Sequence, residues 1–323
     1  MELNAYLYDA VGNDEKIEIE DIDIKKLGKS KLLWIDLGTR NEEMLNSVAA
    51  ALDLENVPFG SILKEKRRPK IDKFESFFQF CVDSAVTKKK APFEKVSIDF
   101  IVGKNFVVTI HDGEVDYFRE FRKREKGETT FGELDAESFV ATLLDMHIVS
   151  YFRALEELEL EVDELDEAVL EAEMETEKFL AKMGKLRRSV SLLRRWLMPH
   201  RDVIYSLSRA DFQQIAESDS LEQYKMLNTH FENAVDAIES SRDTVLSTFE
   251  LYATRSAHMM NIFIQRLTFL TVLIGTLGVV AGVLGMNYKV DFFESSGGFW
   301  LTIGGMVLVA IAMTIFARYK RWI

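Results

Sequence analysis

The run LTFLTVLIGTLGVVAGVLGMNY, from Leu267 to Tyr288, contains no charged side chain, and neither does SSGGFWLTIGGMVLVAIAMTIFA, from Ser295 to Ala317. Each has room for the roughly 20 apolar residues that cross about 30 Å of hydrocarbon as a helix. A buried hairpin in a large soluble core is the alternative, but two such runs in one short stretch argue against it. Two carboxyl-terminal transmembrane helices are therefore expected. Arg266 precedes the first run and Arg318, Lys320 and Arg321 follow the second, while the loop between them carries Lys289, Asp291 and Glu294. Basic residues favour the cytoplasmic side, so the large amino-terminal part and the short tail are expected inside the cell membrane and the loop outside. Trp300 and Trp322 suit the two interfaces. The first ten residues hold Glu2 and no basic n-region, so no cleavable signal is read there and the first span is expected to direct insertion.

The rest of the composition excludes several classes. The chain has 323 residues, 40 basic and 53 acidic side chains, a net charge of -13 and one cysteine; before Leu267 the counts are 36 and 51. This acidity argues against a nucleic-acid partner, and a single Cys81 excludes a disulfide framework. His111, His147, His200, His230 and His258 are scattered without zinc-site spacing. No Gly-Lys-Ser/Thr ending follows the glycines between Gly275 and Gly285, so they form no phosphate loop. His111 beside Asp112 reads as a turn histidine before an acid/base pair. No enzyme and no cofactor are expected.

Residues 1–132 alternate short apolar segments with polar turns: Leu32 to Leu37, Phe77 to Val82, Val96 to Val102 and Phe106 to Ile110. Strands with intervening helices fit, giving an amino-terminal α/β domain. Gly103, Lys104 and Asn105 are expected to form a hairpin loop with the glycine in a strained conformation. Across 133–220 the period becomes helical: Leu155, Leu158, Val162, Leu165, Val169 and Ala172 share one face. Residues 151–180 hold 12 carboxylates, whereas Lys182, Lys185, Arg187, Arg188, Arg194 and Arg195 follow without an acid between Ala181 and His200. A pair of helices with complementary charged faces is expected; attraction of divalent cations to the acidic one is the functional alternative. Pro199 ends or kinks the basic helix. The remaining divisions are a stalk helix continuing into the first span over 221–288, an external loop at 289–298, the second span at 299–317 and a basic tail at 318–323.

Within the first span Asn261, Ile264, Thr268, Thr271, Gly275, Gly278, Gly282 and Gly285 recur every three or four residues, a stripe polar at its start and small at its end. Gly278 and Gly282 form a small-xxx-small pair suited to close helix packing. A narrow aqueous path lined by the stripe is the other reading. Two spans cannot enclose such a path, so a channel requires an oligomer. Asn287 would then form a ring of amide oxygens, able to recognise a hydrated ion and release it. Ile264 and Leu267 are candidates for an apolar gate, and Glu250, Asp291 and Glu294 for attracting cations at the ends of the path. A noncatalytic membrane scaffold remains the competing class.

Gly285, Met286 and Asn287, at the end of the first of two carboxyl-terminal spans, carry a family signature. With Trp34-Ile35-Asp36, Arg68-Pro69-Lys70, Val108-Thr109, the Leu192 to Pro199 helix ending, Asn261 and Leu267-Thr268, the sequence resembles the CorA family of divalent-cation channels over nearly its whole length. The resemblance implies a homopentamer with a cytoplasmic α/β domain, a long-helix funnel and a pore of five first spans embedded in lipid. It implies an outer selectivity region at Gly285, Met286 and Asn287, an inner polar ring at Asn261, and pore-lining roles for Ile264, Thr271, Gly275, Gly278 and Gly282. Mg2+ is the implied cargo, with Co2+ or Ni2+ also carried; the zinc-transporting branch, which moves Zn2+ and is read as a proton-coupled alternative, shares the architecture. Thr276 stands where the family's usual proline is expected, and Val290, Asp291, Phe292 and Phe293 replace its usual outer segment. Ser61 and Met226 occupy the places of the two aspartates that hold a cytosolic regulatory magnesium in some members, so feedback there is expected to be weak or differently placed.

Overall fold

The computed structural model describes residues 3–9, 15–22, 27, 31–55, 57–64, 68–88, 91–124, 135–171, 175–212, 215, 220–286 and 296–320. The chain divides into two compact units, Met1–Ser247 and Thr248–Ile323. The segments rich in Val, Ile and Phe do form strands: β1 (Leu3–Asp9), β2 (Glu15–Ile17), β3 (Lys31–Leu37), β4 (Ile71–Lys73), β5 (Phe77–Lys88), β6 (Ala91–Gly103) and β7 (Phe106–His111). They make one seven-stranded sheet in the order β2-β1-β3-β7-β6-β5-β4. Only β3 and β7 pair in parallel, Ile35 opposite Val108; the other neighbours are antiparallel.

Alternation along the strands builds two cores. Leu33, Ile35 and Leu37 of β3 and Val108 and Ile110 of β7 meet Leu45 and Val48 of α1 (Glu42–Ala51), Leu52 just after it and Ile62 of α2 (Phe59–Ile62) on one face. Helix α1 starts at Asn41, whose side chain accepts from the Glu43 and Met44 N–H groups at 2.8 and 3.4 Å, satisfying two of the four free donors at a helix start. On the opposite face Trp34, fully buried, meets Phe118 and Phe121 of α3 (Asp116–Arg124) and Phe139 of α4 (Ala136–Glu171) edge-on, with ring centroids 5.5 to 5.8 Å apart. Helix α4 therefore begins within the sheet's core.

The expected helical face is present: Leu155, Leu158, Val162, Leu165 and Val169 are all buried, while Ala172 lies outside the described residues. Helix α5 (Thr176–Leu197) stops at a 3-10 turn, Met198–His200, with Pro199 in its first positions, and α6 (Arg201–Leu207) resumes. Two expectations need correction. Gly103 is not strained, since among the described residues Gly113 alone of the glycines has a positive φ; it is small because a Cβ there would stand 2.1 Å from the Phe106 ring. Arg194, at the end of α5, does not answer the acids of α4. Arg194 pairs instead with Glu239 of α7 (Leu221–Leu284) at 3.3 Å, as Arg201 of α6 does with Glu232 at 2.6 Å, while Glu159 of α4 accepts from the Ser241 hydroxyl of α7 at 2.8 Å. These pairs are exposed, so apolar packing of Tyr224, Phe231 and Ile238 holds α7 to the unit.

A buried polar knot ties the sheet to the helices. His200 Nε2 accepts the Asp83 N–H at 2.6 Å and its Nδ1–H donates to the Leu197 carbonyl at 2.8 Å, while the Tyr151 hydroxyl donates to the Asp83 carbonyl at 2.5 Å. Burial lowers the His200 pKa to about 4, and burial beside His200 holds His147 well below its usual value. Both rings stay neutral in the fold but take a proton in the unfolded chain below pH 6.5. Stability therefore falls as pH drops from 6.5 towards 4, by up to about 1.4 kcal/mol per pH unit for each such group. Thermal unfolding of the full chain in detergent is expected to show Tm falling across this window and a shallower fall in His200→Gln; equal slopes would remove this role.

Candidate functional site

Helix α7 is unbroken for 64 residues, and α8 (Ser296–Tyr319) is the second long apolar helix. Both are long and apolar enough to cross a membrane, with mean hydropathy of 2.3 and 2.2 in their most apolar windows, and neither window is buried in the chain. The face of α7 that is covered decides what the rest can do. Each residue advances about 100° around an α-helix, so Asn261, Ile264, Thr268, Thr271, Gly275, Gly278 and Gly282 fall in one sector about 100° wide. All seven are exposed. The half-buried residues of the span, Ile262, Phe269, Leu273, Leu277 and Leu284, centre about 180° away. On α8 the covered positions are Gly298, Thr302, Met306, Ala310, Met313, Thr314 and Ala317, again one stripe. Among the described residues the polar and glycine face is therefore open.

The open face is shaped by absence of side chain. A Cβ added at Gly275, Gly278 or Gly282 would meet nothing within 4 Å, so none of the three packs against α8. The Thr271 hydroxyl donates to the Leu267 carbonyl at 2.9 Å, which satisfies its proton inside the helix and leaves the oxygen as an outward acceptor. Ile264 is 50 % exposed and Leu267, at the edge of the sector, 53 %. Glu250 is exposed, fourteen residues before Ile264 on the same face of α7. The helix ends at Leu284, earlier than expected: the Gly285 N–H reaches the Ala281 carbonyl at 2.9 Å and the Met286 N–H the Val283 carbonyl at 3.3 Å, after which Gly285 and Met286 turn away. Asn287, Asp291 and Glu294 lie outside the described residues.

Other sites singled out from sequence are placed as follows. Ser61 sits in α2 with its hydroxyl donating to the Pro58 carbonyl at 2.8 Å, and Met226 is an exposed residue of α7. Neither offers a carboxylate. Among the described residues no group of three or more His, Cys, Asp or Glu side chains is placed to hold a metal ion. A link that sequence did not make is the buried contact of Asp36 with Thr109, His111 and Arg122. The signal was present as polar residues interrupting the apolar strands β3 and β7, but their pairing is a property of the sheet.

The sequence pattern of the family described as CorA-like Mg2+ transporter protein matches residues 29–318. The chain belongs to that family. A relative is the cobalt/magnesium transport protein CorA of Thermotoga maritima, 25% identical over 296 residues, covering 90% of this chain and 83% of that protein. Among solved structures, the complete CorA magnesium transporter of Methanocaldococcus jannaschii matches with a TM-score of 0.78 and 21% identity over 100% of both chains. The cytoplasmic domain of ZntB from Vibrio parahaemolyticus matches with a TM-score of 0.63 and 12% identity, covering 80% of this chain and 100% of that one. The likeness to both structures establishes the fold and does not sort the ion. This CorA-like chain is a transporter of divalent cations, and its membrane unit presents an open polar face opposite a covered apolar one.

The two faces differ in a measurable way. In a Cys81→Ala background, Gly278→Cys is expected to react with a water-soluble thiol reagent in the membrane, and Leu273→Cys on the covered face at least about tenfold more slowly, because thiolate chemistry needs water. Equal rates would contradict the assignment of faces.

Proposed function

We propose that this CorA-like transporter is a homopentameric channel for Mg2+ uptake, also passing Co2+ or Ni2+, in the plasma membrane with both termini in the cytoplasm. The observation that carries the reading is the uncovered sector of α7, where Asn261, Thr268, Thr271 and the glycines lie together opposite the covered stripe. A single copy would leave those groups against hydrocarbon; five copies around an axis turn them towards one another and convert each polar position into a ring. The resemblance to CorA supports five as the number. Arg266 and Arg318, at the same ends of the two spans, favour the cytoplasmic side.

In this assembly Gly285, Met286 and Asn287 form the outer ring and Asn261 the inner one. Mg2+ surrenders its first-shell waters reluctantly, and amide and carbonyl oxygens can accept hydrogen bonds from those waters without the deep well of a carboxylate ring. Ile264, Thr271, Gly275, Gly278 and Gly282 line the path, the glycines leaving width for a hydrated ion. Ile264 and Leu267 form the narrow apolar stretch where water is excluded at rest. Glu250 inside and Asp291 and Glu294 outside raise the local cation concentration. No Asp, Glu, His, Lys or Arg lies within either span, which favours passive entry over a proton relay. An inside-negative potential assists a divalent ion by about 4.6 kcal/mol per 100 mV.

Flux into liposomes holding the purified chain is the test. Mg2+ uptake is expected to respond to voltage and to be unaffected by a proton gradient. Asn287→Ala should lower selective flux by about tenfold or more, equivalent to about 1.4 kcal/mol of recognition, with assembly retained. Gly278→Leu should block the path while keeping the fold. Uptake of Zn2+ in preference to Mg2+, driven by a proton gradient, would transfer the assignment to the zinc-transporting branch. No flux of any of these ions would leave a scaffold.

A further inference from the structure

The parallel neighbours β3 and β7 send the chain in opposite directions. After β3 it passes to α1, which packs on Leu33, Ile35 and Leu37. After β7 it passes to α3, which packs on Trp34 from the other face. Adjacent parallel strands whose connections go to opposite faces leave a crevice outside their carboxyl ends, the place where open α/β sheets bind ligands. A cavity of about 590 Å³ lies there, walled by Asn4, Asp36, Thr39, His111, Arg119 and Arg122 with Gly113 at the turn. Its size is that of small-molecule sites.

Its polar groups are held by their neighbours. Asp36 is buried and accepts from the Thr109 hydroxyl at 2.7 Å and from Arg122 Nη1 at 3.0 Å, with His111 Nε2 3.1 Å away. The Trp34 indole N–H donates to the Thr109 oxygen at 3.0 Å, and His111 Nδ1 stands 2.8 Å from the Gly113 carbonyl. Asp36 is thus matched by three groups, and Arg122 uses one of its five N–H donors to do so. The remaining fork is steadied by the Tyr6 and Trp34 rings, each centred 5.9 Å from the guanidinium carbon. Arg119 is occupied by Asp116 and by Glu114, a carboxylate that also lines the cavity but is turned largely to solvent. Asn4, the cross-strand neighbour of Asp36, adds an amide, and Thr39 adds a hydroxyl. A fixed guanidinium fork beside neutral donors is suited to an oxyanion.

We infer that this crevice binds a small metabolite carrying a phosphate or carboxylate group, up to mononucleotide size, with the oxyanion on Arg122, Asn4 and Thr39. The site is in the sheet-bearing unit and is independent of the ion pathway. The test is thermal unfolding of the full chain in detergent, without Mg2+ and at constant ionic strength, titrated separately with inorganic phosphate, AMP and succinate. At least one probe is expected to raise Tm saturably by about 2–4 °C, as binding to the folded state alone requires. A response to phosphate and AMP but not succinate assigns a phosphate ligand, and the reverse a carboxylate. The shift should vanish in Arg122→Gln and in the double variant Asn4→Ala with Thr39→Val, which leaves the Asp36 contacts in place and so guards against misfolding of the first. It should persist in Arg195→Gln on α5. No saturable shift with any probe, or the same shift in the double variant as in the unaltered chain, would overturn the inference.

Discussion

An α-helix in hydrocarbon has no spare backbone donors, so it meets an ion only through side chains or through the gaps where side chains are missing. The membrane span of α7 divides these possibilities between two faces. Phe269, Leu273 and Leu277 are partly covered, and half a turn away Asn261, Thr268, Thr271 and three glycines are left exposed by the described residues. Filling the open face with Leu would make α7 an ordinary lipid-facing helix. Leaving it small and polar makes sense only if another surface, water or a second copy, completes it. Every functional statement about this transporter depends on that asymmetry.

The sheet-bearing unit works differently. Its stability comes from aromatic packing about Trp34 on one face and from aliphatic packing of α1 on the other. Buried polar groups tie remote elements together, as with His200 bridging Asp83 and Leu197. Such bridges connect elements distant in the chain, which is why single substitutions at these points are expected to be felt across the unit. The charged faces of α4 and α5, by contrast, are exposed and contribute little to holding the unit together.

Much of this was legible in the sequence because it follows from local periodicity. The four strand segments, the Leu155 to Val169 face, the break at Pro199 and the two uncharged runs all reflect spacing within a few turns or strand lengths. What was not legible depends on partners remote in sequence. Gly103 looked like a turn glycine, yet its smallness answers the Phe106 ring. Arg194 of α5 belongs to a basic run matched by sequence to α4, the nearest acidic segment, and instead reaches Glu239. Asp36, Thr109, His111 and Arg122 were separate residues until the parallel pairing of β3 with β7 brought them to one crevice. On α7 the sequence left packing and pathway equally open for the glycines; what it did not show is that α8 covers the far side of the helix and not the glycines.

Disulfide trapping between copies tests the central claim most directly. In a Cys81→Ala background, Thr271→Cys places one thiol per copy on the open face and Phe269→Cys one on the covered face. Mild oxidation of the protein in lipid is expected to yield covalent dimers readily from Thr271→Cys and none above background from Phe269→Cys. Efficient trapping through Phe269→Cys with none through Thr271→Cys would show that the polar face does not turn towards a shared axis, and the pathway would have to lie elsewhere.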